Sequence, residues 1–386
     1  MPVHDYDPQG GAVLPLAGPE PQASETPDTP VFRLATLDDA PAMLEVLEAA
    51  FDRWPEFDID VTPLEHLQWK MQSFPDQPLS HTVGALDGRM VAASIRWARY
   101  VHVDGEELIT GGGTDQAIHP DYQGRGFAAL HRDSRSAFPI VGELGIGTES
   151  RHARLKNSRR RRPDSERALW YLKNWALNFD LRGAVGTGFR HSGVRGAVTA
   201  LPAMMRSRRH NQPRPTASGL TIDPISQFDE RADRLWERAR EQFDVALVRR
   251  AAYLNWRYAD PRSGRSQIAG AFEDDRLIGY AVVRPSGDRA VLADLFVEPG
   301  REDAAGALIR SAAASARAHG CRRLTAWLSD HHPLADTFQA AGFIDSGTET
   351  RISFHQPRGS TTPVDLDRLR DPALRIHIMM GDQDFV

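Results

Sequence analysis

An internal repeat limits what this chain can fold into more than any other feature. His66-Leu67-Gln68-Trp69-Lys70-Met71 aligns with Tyr253-Leu254-Asn255-Trp256-Arg257-Tyr258, which places Trp69 and Trp256 187 positions apart. Arg89-Met90-Val91-Ala92 aligns with Arg276-Leu277-Ile278-Gly279 at the same offset of 187. The offset then falls to 179 between Ile118 and Val297, as a shorter hairpin in the second copy would produce. Two matches at one offset point to duplication of a whole domain, and 386 residues suffice for two domains with cores of their own.

Local patterns divide the chain accordingly. Residues 1–30, rich in Pro, Gly, Ala and acidic side chains without apolar periodicity, are expected to be a flexible tail. A first domain is expected over 31–182, a Gly/Arg/Ser/Pro-rich linker over 183–219, a second domain over 220–355 and a C-terminal extension over 356–386. The first domain opens with a strand at Val31–Leu34 and a helix on which Met43, Leu44, Leu47 and Phe51 recur at helical spacing, with Thr36 as its cap. Asp87-Gly88 and Asp104-Gly105 each separate strand-like apolar runs, so an antiparallel meander is expected from Thr82 onward. Near the end of the chain, Leu374–Met380 is strand-like.

Composition narrows the function classes. Hydrophobic and charged contents of 41% and 26% are those of a folded globular chain. The lone Cys321 gives neither a disulfide nor a zinc cluster, and the fourteen histidines show no metal-ligand spacing, so no metal is expected. Apolar runs stay short of the roughly 18 residues a membrane helix needs, and the N-terminus lacks a signal-peptide pattern, so a cytoplasmic address without membrane attachment is expected. The net charge of −5 hides a basic stretch: residues 151–210 hold fifteen Lys or Arg against three Asp or Glu. It includes Arg159-Arg160-Arg161-Arg162, for which a solvated loop, a phosphate contact and a polyanionic acceptor such as RNA all remain open.

The segment Ile118-His119-Pro120-Asp121-Tyr122-Gln123-Gly124-Arg125-Gly126-Phe127-Ala128 carries the chemistry. A strand ends at Ile118, Pro120 stops it from continuing, and two glycines allow a tight turn into a helix starting near Phe127 and expected over Ala128–Ala137. Unpartnered N–H groups at a helix start, backed by the positive end of the helix dipole, make a pyrophosphate cradle.

This loop resembles that of the GNAT (GCN5-related N-acetyltransferase) superfamily, whose pattern Gln/Arg-x-x-Gly-x-Gly/Ala is met by Gln123-Gly124-Arg125-Gly126-Phe127-Ala128, with Ile118-His119-Pro120 as lead-in. The resemblance implies an α/β (α+β) class: two GNAT-like domains, each a mixed, mostly antiparallel central sheet flanked by helices. The second copy is degenerate. In Val297–Leu308, Arg301 is followed by Ala304 where the first glycine belongs, and Glu302 and Asp303 bring negative charge where a pyrophosphate would sit.

The resemblance further implies an N-acetyltransferase that moves an acetyl or other short acyl group from acyl-CoA, acetyl-CoA foremost, to the amine of a small molecule. Gln123, Gly124, Arg125, Gly126, Phe127 and Ala128 would then hold the donor's pyrophosphate, backbone N–H near Ala117 and Ile118 the thioester oxygen and pantetheine, and Asn157 the pantetheine arm. Asp115 and Glu149 are the candidate bases. Tyr171 is the candidate acid, expected on a helix after the next strand, although aromatics at such spacing also serve as core. Asp58 and Asp60 fall where GNAT acceptors bind and are candidates for holding a cationic amine; Asp382 and Asp384 are candidates for reaching an interdomain cleft. Trp256 reads as core because its repeat partner is Trp69. Two other functions stay open: an acyl-CoA-binding sensor without turnover, and an aminoacyl-tRNA-dependent transferase. Nucleic acid is not the expected partner, and oligomeric state is not encoded in any pattern found.

Overall fold

Each Asp-Gly pair makes a left-handed two-residue turn, with φ of 52° and 78° at Asp87-Gly88 and 45° and 93° at Asp104-Gly105, the conformation that matches strand twist in tight hairpins. The computed structural model describes residues 29–51, 53–55, 57–72, 81–128, 130, 141–146, 167–180, 219–356 and 364–383. In the first half, β1 (Val31–Leu34) is followed by α1 (Ala40–Ala50) and α2 (Pro63–Gln72). The meander follows as β2 (Thr82–Leu86), β3 (Arg89–Val103) and β4 (Glu106–Ile118), then β5 (Gly142–Ile146) and β6 (Arg167–Asn178). The expected runs Met90–Arg99 and Tyr100–Val103 are one continuous strand, β3.

The second half repeats this order. It comprises β7 (Leu220–Pro224), α3 (Glu230–Ala239), β8 (Val245–Leu247), α4 (Ala251–Leu254), β9 (Gln267–Glu273), β10 (Arg276–Ser286) and β11 (Arg289–Val297). After these come α5 (Glu302–Ala318), β12 (Arg323–Leu328), α6 (Ala335–Ala341) and β13 (Ile344–His355). Of the strand-like Leu374–Met380 only β14 (Ile376–His377) is a strand.

The strands form one sheet in the order β1-β2-β3-β4-β5-β13-β6-β12-β11-β10-β9-β7. Read from its two ends this order is symmetric about the β13–β6 junction, and each half-sheet takes its sixth strand from the other half of the chain. Along the path only β4–β5 and β11–β12 run parallel, at equivalent places. β13 pairs with β6 from Ile344↔Ala176 to His355↔Arg167 with a bulge between Asp345 and Glu349, and with β5 through Ile352–His355. The short β8 adds a further tie by pairing with β3, and β14 pairs with β8.

The repeat-equivalent tryptophans meet at the junction of the halves. Trp69 stacks on Trp256 with ring centroids 4.9 Å apart, its Nε1–H donates to the Trp256 carbonyl at 3.1 Å, and Trp97 packs edge-on against both. The aromatic reading of Trp256 as core therefore agrees with its burial. One apolar cluster runs from Met43, Leu47 and Ile95 in the first half to Trp236, Leu247 and Phe296 in the second, so the halves share a core.

Asp115, on β4, is buried within that core. Its carboxylate accepts from Lys70 Nζ at 2.6 Å and from Trp54 Nε1 at 3.0 Å. Burial pushes the carboxyl pKa up, but the charge and hydrogen bond of Lys70 outweigh that and hold it below the usual range. The residue 179 positions on, Asp294 of β11, is also buried; it forms an ion pair with Arg249 and a hydrogen-bond contact with His377 Nε2 at 3.2 Å. The same strand position thus carries a neutralised carboxylate in both halves. His81 is likewise built in: its Nε2–H donates to the Met71 carbonyl at 2.9 Å, and its Nδ1 accepts from the Arg96 N–H at 3.1 Å. Burial drives His81 down to about 4, and burial followed by the Lys70 charge drives His66 to about 3.

Two outcomes follow from these buried groups. Lys70→Met leaves a buried carboxylate unpaired and is expected to cost about 3–5 kcal/mol of stability, whereas Lys70→Met combined with Asp115→Asn recovers most of that loss; denaturant melts of both variants check it. His66 and His81 are neutral in the folded chain but titrate near their usual 6.5 when unfolded. Their contribution is therefore complete above about pH 6.5 and is lost as pH falls toward 4 and then 3, each adding up to about 1.4 kcal/mol per pH unit to the slope. His81→Gln, which keeps a donor and an acceptor, should flatten that slope in melts between pH 7 and 4, and an unchanged slope would refute the assignment.

Candidate functional site

At the end of β4 the chain turns through a short 3-10 segment, Pro120–Tyr122, closed by N–H bonds from Tyr122 to His119 O and from Gln123 to Pro120 O. The Gln123 side chain folds back and donates to the Ile118 carbonyl at 3.1 Å, so the first residue of the loop pattern braces the strand end. Gly124 and Gly126 have φ of 79° and 85°, and a β-carbon at either would meet nothing within 4 Å. Glycine is needed there for backbone conformation, and the space outside is open to a ligand. Helix begins at Phe127, whose buried ring packs with Leu86 and Val91 and fixes the direction of the helix start. Gln123, Gly124, Arg125, Gly126 and Ala128 are exposed.

Two guanidiniums flank this turn. Arg125 lies 5.1 Å and Arg89 5.8 Å from the Tyr122 ring centroid, and Arg89 also reaches His119 Nε2 at 3.1 Å. Sequence reading missed Arg89, although its signal was available: the Asp87-Gly88 turn fixes the β3 register, and that register carries Val91 to the His119 N–H. Ala117 and Ile118 pair with Ala93 and Ala92 on the β3 side. On the β5 side, the β4 ladder covers Thr110 and Gly111 and does not continue past Gly111 among the described residues.

The equivalent splay in the second half is occupied by the chain itself. β11 pairs with β12 only from Arg289 to Val291. Beyond that point the C-terminal segment packs on β11 closely enough that a β-carbon on Gly381 would lie 2.7 Å from the Ala293 carbonyl and 2.4 Å from the Tyr258 hydroxyl. Asp382 locks this segment in place through Arg249 Nη2 at 2.6 Å, and Arg257 donates to the carbonyls of Gly381 and Gln383. At the start of α5, Asp303 pairs with Arg301 at 2.9 Å, and its pKa is held low by Arg301 first and also by the Ala304 N–H. A carboxylate thus stands where an anion would sit on that helix.

The other predicted residues are dispersed. Tyr171 is on strand β6 and not on a helix, which corrects the expectation: Ala168, Trp170 and Leu172 are buried in strand alternation, whereas the sequence at 168–172 is a continuous apolar run that does not itself show the period. Tyr171 is 52% exposed and lies opposite Arg351, one register step past the level of Ile146. Asp58 pairs with Arg53 and Asp60 with Arg265, both at exposed positions, while Asp382 is buried. Glu149, Asn157, the Arg159–Arg162 run, Asp384 and most of Ala128–Ala137 lie outside the described residues. Two cavities, of about 530 and 540 Å³, lie away from the glycine loop and are lined mainly by the second half. Among the described residues no group of His, Cys, Asp and Glu is disposed to hold a metal, and no helix is long and apolar enough to cross a membrane.

Comparison with known proteins brings in the family. Residues 229–343 match the model of the Acetyltransferase (GNAT) family. No curated protein sequence matches the chain. Among solved structures, a probable N-acyltransferase from Enterococcus faecalis V583 is similar over 85% of this chain and 73% of its own, with a TM-score of 0.55 and 10% identity. A GCN5-related N-acetyltransferase from Anabaena variabilis is similar over 84% and 71%, with a TM-score of 0.51 and 10% identity. N-myristoyltransferase from Saccharomyces cerevisiae, with bound myristoyl-CoA and inhibitors, is similar over 92% and 89%, with a TM-score of 0.53 and 10% identity. With its second half matched by the family model and its whole fold shared with these transferases, the chain is a GNAT-fold protein built of two GNAT-like halves, each a mostly antiparallel sheet flanked by helices.

Proposed function

We propose that the protein is an acyl-CoA-dependent N-acyltransferase whose first half binds the donor and whose acceptor is the amine of a small molecule. The observation that carries this reading is the exposed turn at Gln123–Phe127, with two left-handed glycines between a splayed strand and a helix start. In this reading the loop N–H groups of Gly124–Ala128 grip the pyrophosphate, and Arg89 and Arg125 neutralise phosphate charge. The edge of β4 beyond the β5 ladder, at Ala117 and Ile118, takes the pantetheine and the thioester oxygen. The acyl group is acetyl or another short chain. The plugged splay and the Asp303–Arg301 pair of the second half favour a single donor site.

Chemistry then requires a base for the ammonium and an acid for the leaving thiolate. The exposed Tyr171 hydroxyl is the proposed acid, and Glu149 is retained as the proposed base. Asp115 becomes a positioning residue, because its carboxylate is already spent on Lys70 and Trp54. That same engagement favours a second reading, an acyl-CoA sensor without turnover.

Release of free thiol from acyl-CoAs across amine panels, read beside calorimetric donor binding, separates the two. Catalysis predicts CoASH release in the wild type. Gly126→Asp should weaken donor binding at least about tenfold, since it places a charge and an unfavourable side chain in the cradle. Tyr171→Phe should lower kcat about a hundredfold with donor affinity retained. Tight donor binding without thiol release selects the sensor, and no binding at all removes both readings.

A further inference from the structure

The cavity of about 530 Å³ lies where β10, β11 and β12 meet β6 and the bulge of β13, closed on one side by Phe57 and Asp58 of the first half. Four arginines line it, Arg265, Arg284, Arg289 and Arg323, against one carboxylate, Asp58. Arg284 is the unusual member. It is 5% exposed, its Nε donates to Ser266 Oγ at 2.9 Å, and its Nη2 donates to the Arg257 carbonyl at 2.7 Å and Ser263 Oγ at 3.0 Å. All of these acceptors are neutral, and Nη1 has no acceptor. Burial first, and then the neighbouring Arg257 charge, press its pKa well down.

A buried guanidinium held by neutral oxygens and the Tyr258 ring, 5.6 Å away, with no carboxylate among these contacts, is costly, and the fold does not require it. At the repeat offset of 187, position 284 corresponds to Trp97, which fills the same place on β3 with an apolar ring. The pairing agrees: Trp97 opposes Gly112 as Arg284 opposes Val291. The second half therefore places a charge where the architecture asks only for bulk, and it does so at the wall of a cavity. Around it, Asn174 donates to Thr348 on the β13 bulge, which adds neutral polar groups to the lining.

We propose that this cleft is a binding site for the oxyanion of a small metabolite, a carboxylate or a phosphate, with Arg284 as the buried charge and Arg289 and Arg323 as its outer contacts. The lining of the cleft includes no residue of the glycine loop. The proposal does not rest on the donor reading. Its volume admits a metabolite-sized molecule, and paired arginines recognise planar carboxylates and phosphates through bidentate hydrogen bonds.

The test uses the full chain in chloride buffer of constant ionic strength, with inorganic phosphate and succinate as separate probes, followed by thermal melts and calorimetry. The expected result is saturable stabilisation by at least one probe, and which one acts identifies the class. Arg289→Ala with Arg323→Ala should weaken that affinity at least about tenfold. Arg284→Met should abolish the response while melting no lower than the wild type in anion-free buffer; if it does not fold, the outer double variant still decides. Coenzyme A affinity should be the same in the wild type and the double variant. Absence of saturation up to about 50 mM of either probe, or an unaltered response in the double variant, overturns the proposal. Loss of coenzyme A binding in the double variant overturns it as well, by making the cleft part of the donor site.

Discussion

The pairing of β13 with β6 is the interaction on which the rest of the architecture depends. Without it the two half-sheets would end on open edges, β13 and β6, presenting unpaired N–H and C=O groups. The chain closes both edges by crossing over, giving the last strand of each half to the other. The Trp69–Trp256 stack is a second tie between the halves, with Trp97 edge-on against both. Hydrogen bonding and aromatic burial thus hold the halves in one fixed relation. The loop at Gln123–Phe127 and the arginine-lined cleft of the second half therefore keep a constant separation on one continuous sheet.

Much of this was legible in residues whose information is local. The Asp-Gly turns gave the meander, the glycines after Pro120 gave the loop, and the 187-residue offset gave the duplication. Strand exchange was not legible, because a strand carries no mark of which remote partner it will meet, and residues 167–178 pair with strands more than 140 positions away. The placement of Tyr171 failed for another reason. Family resemblance suggested a helix, and the continuous apolar run at 168–172 carries no period that would have favoured a strand over it. The tail was beyond reach for the same reason as the exchange: Asp382 finds its cation, Arg249, 133 positions upstream.

The two halves show which features duplication preserved and which it released. Asp115 and Asp294 occupy one strand position and are both neutralised, but the cation comes from Lys70 of α2 in one half and from Arg249 before α4 in the other. Lys70's own repeat partner, Arg257, instead holds the C-terminal segment. A buried carboxylate is expensive to leave unpaired, so its position persists while its partner can be exchanged, provided that some cation fills the gap. The surfaces not bound by that constraint diverged further. In the second half the splay is plugged, the helix start carries its own acid, and Trp97 has become Arg284.

That divergence explains why the family model matches residues 229–343, in the half whose loop lost its first glycine. A family model responds to the spacing of core positions, and the second half presents them without interruption. Ala304, Ala305, Leu308, Ile309, Ala312 and Ala313 are buried along α5, between β11 and β12, which are packed on one cluster. The match to the family thus falls on the half whose helix start carries its own carboxylate. In the first half the turn itself is retained, its conformation held by two left-handed glycines and one buried phenylalanine.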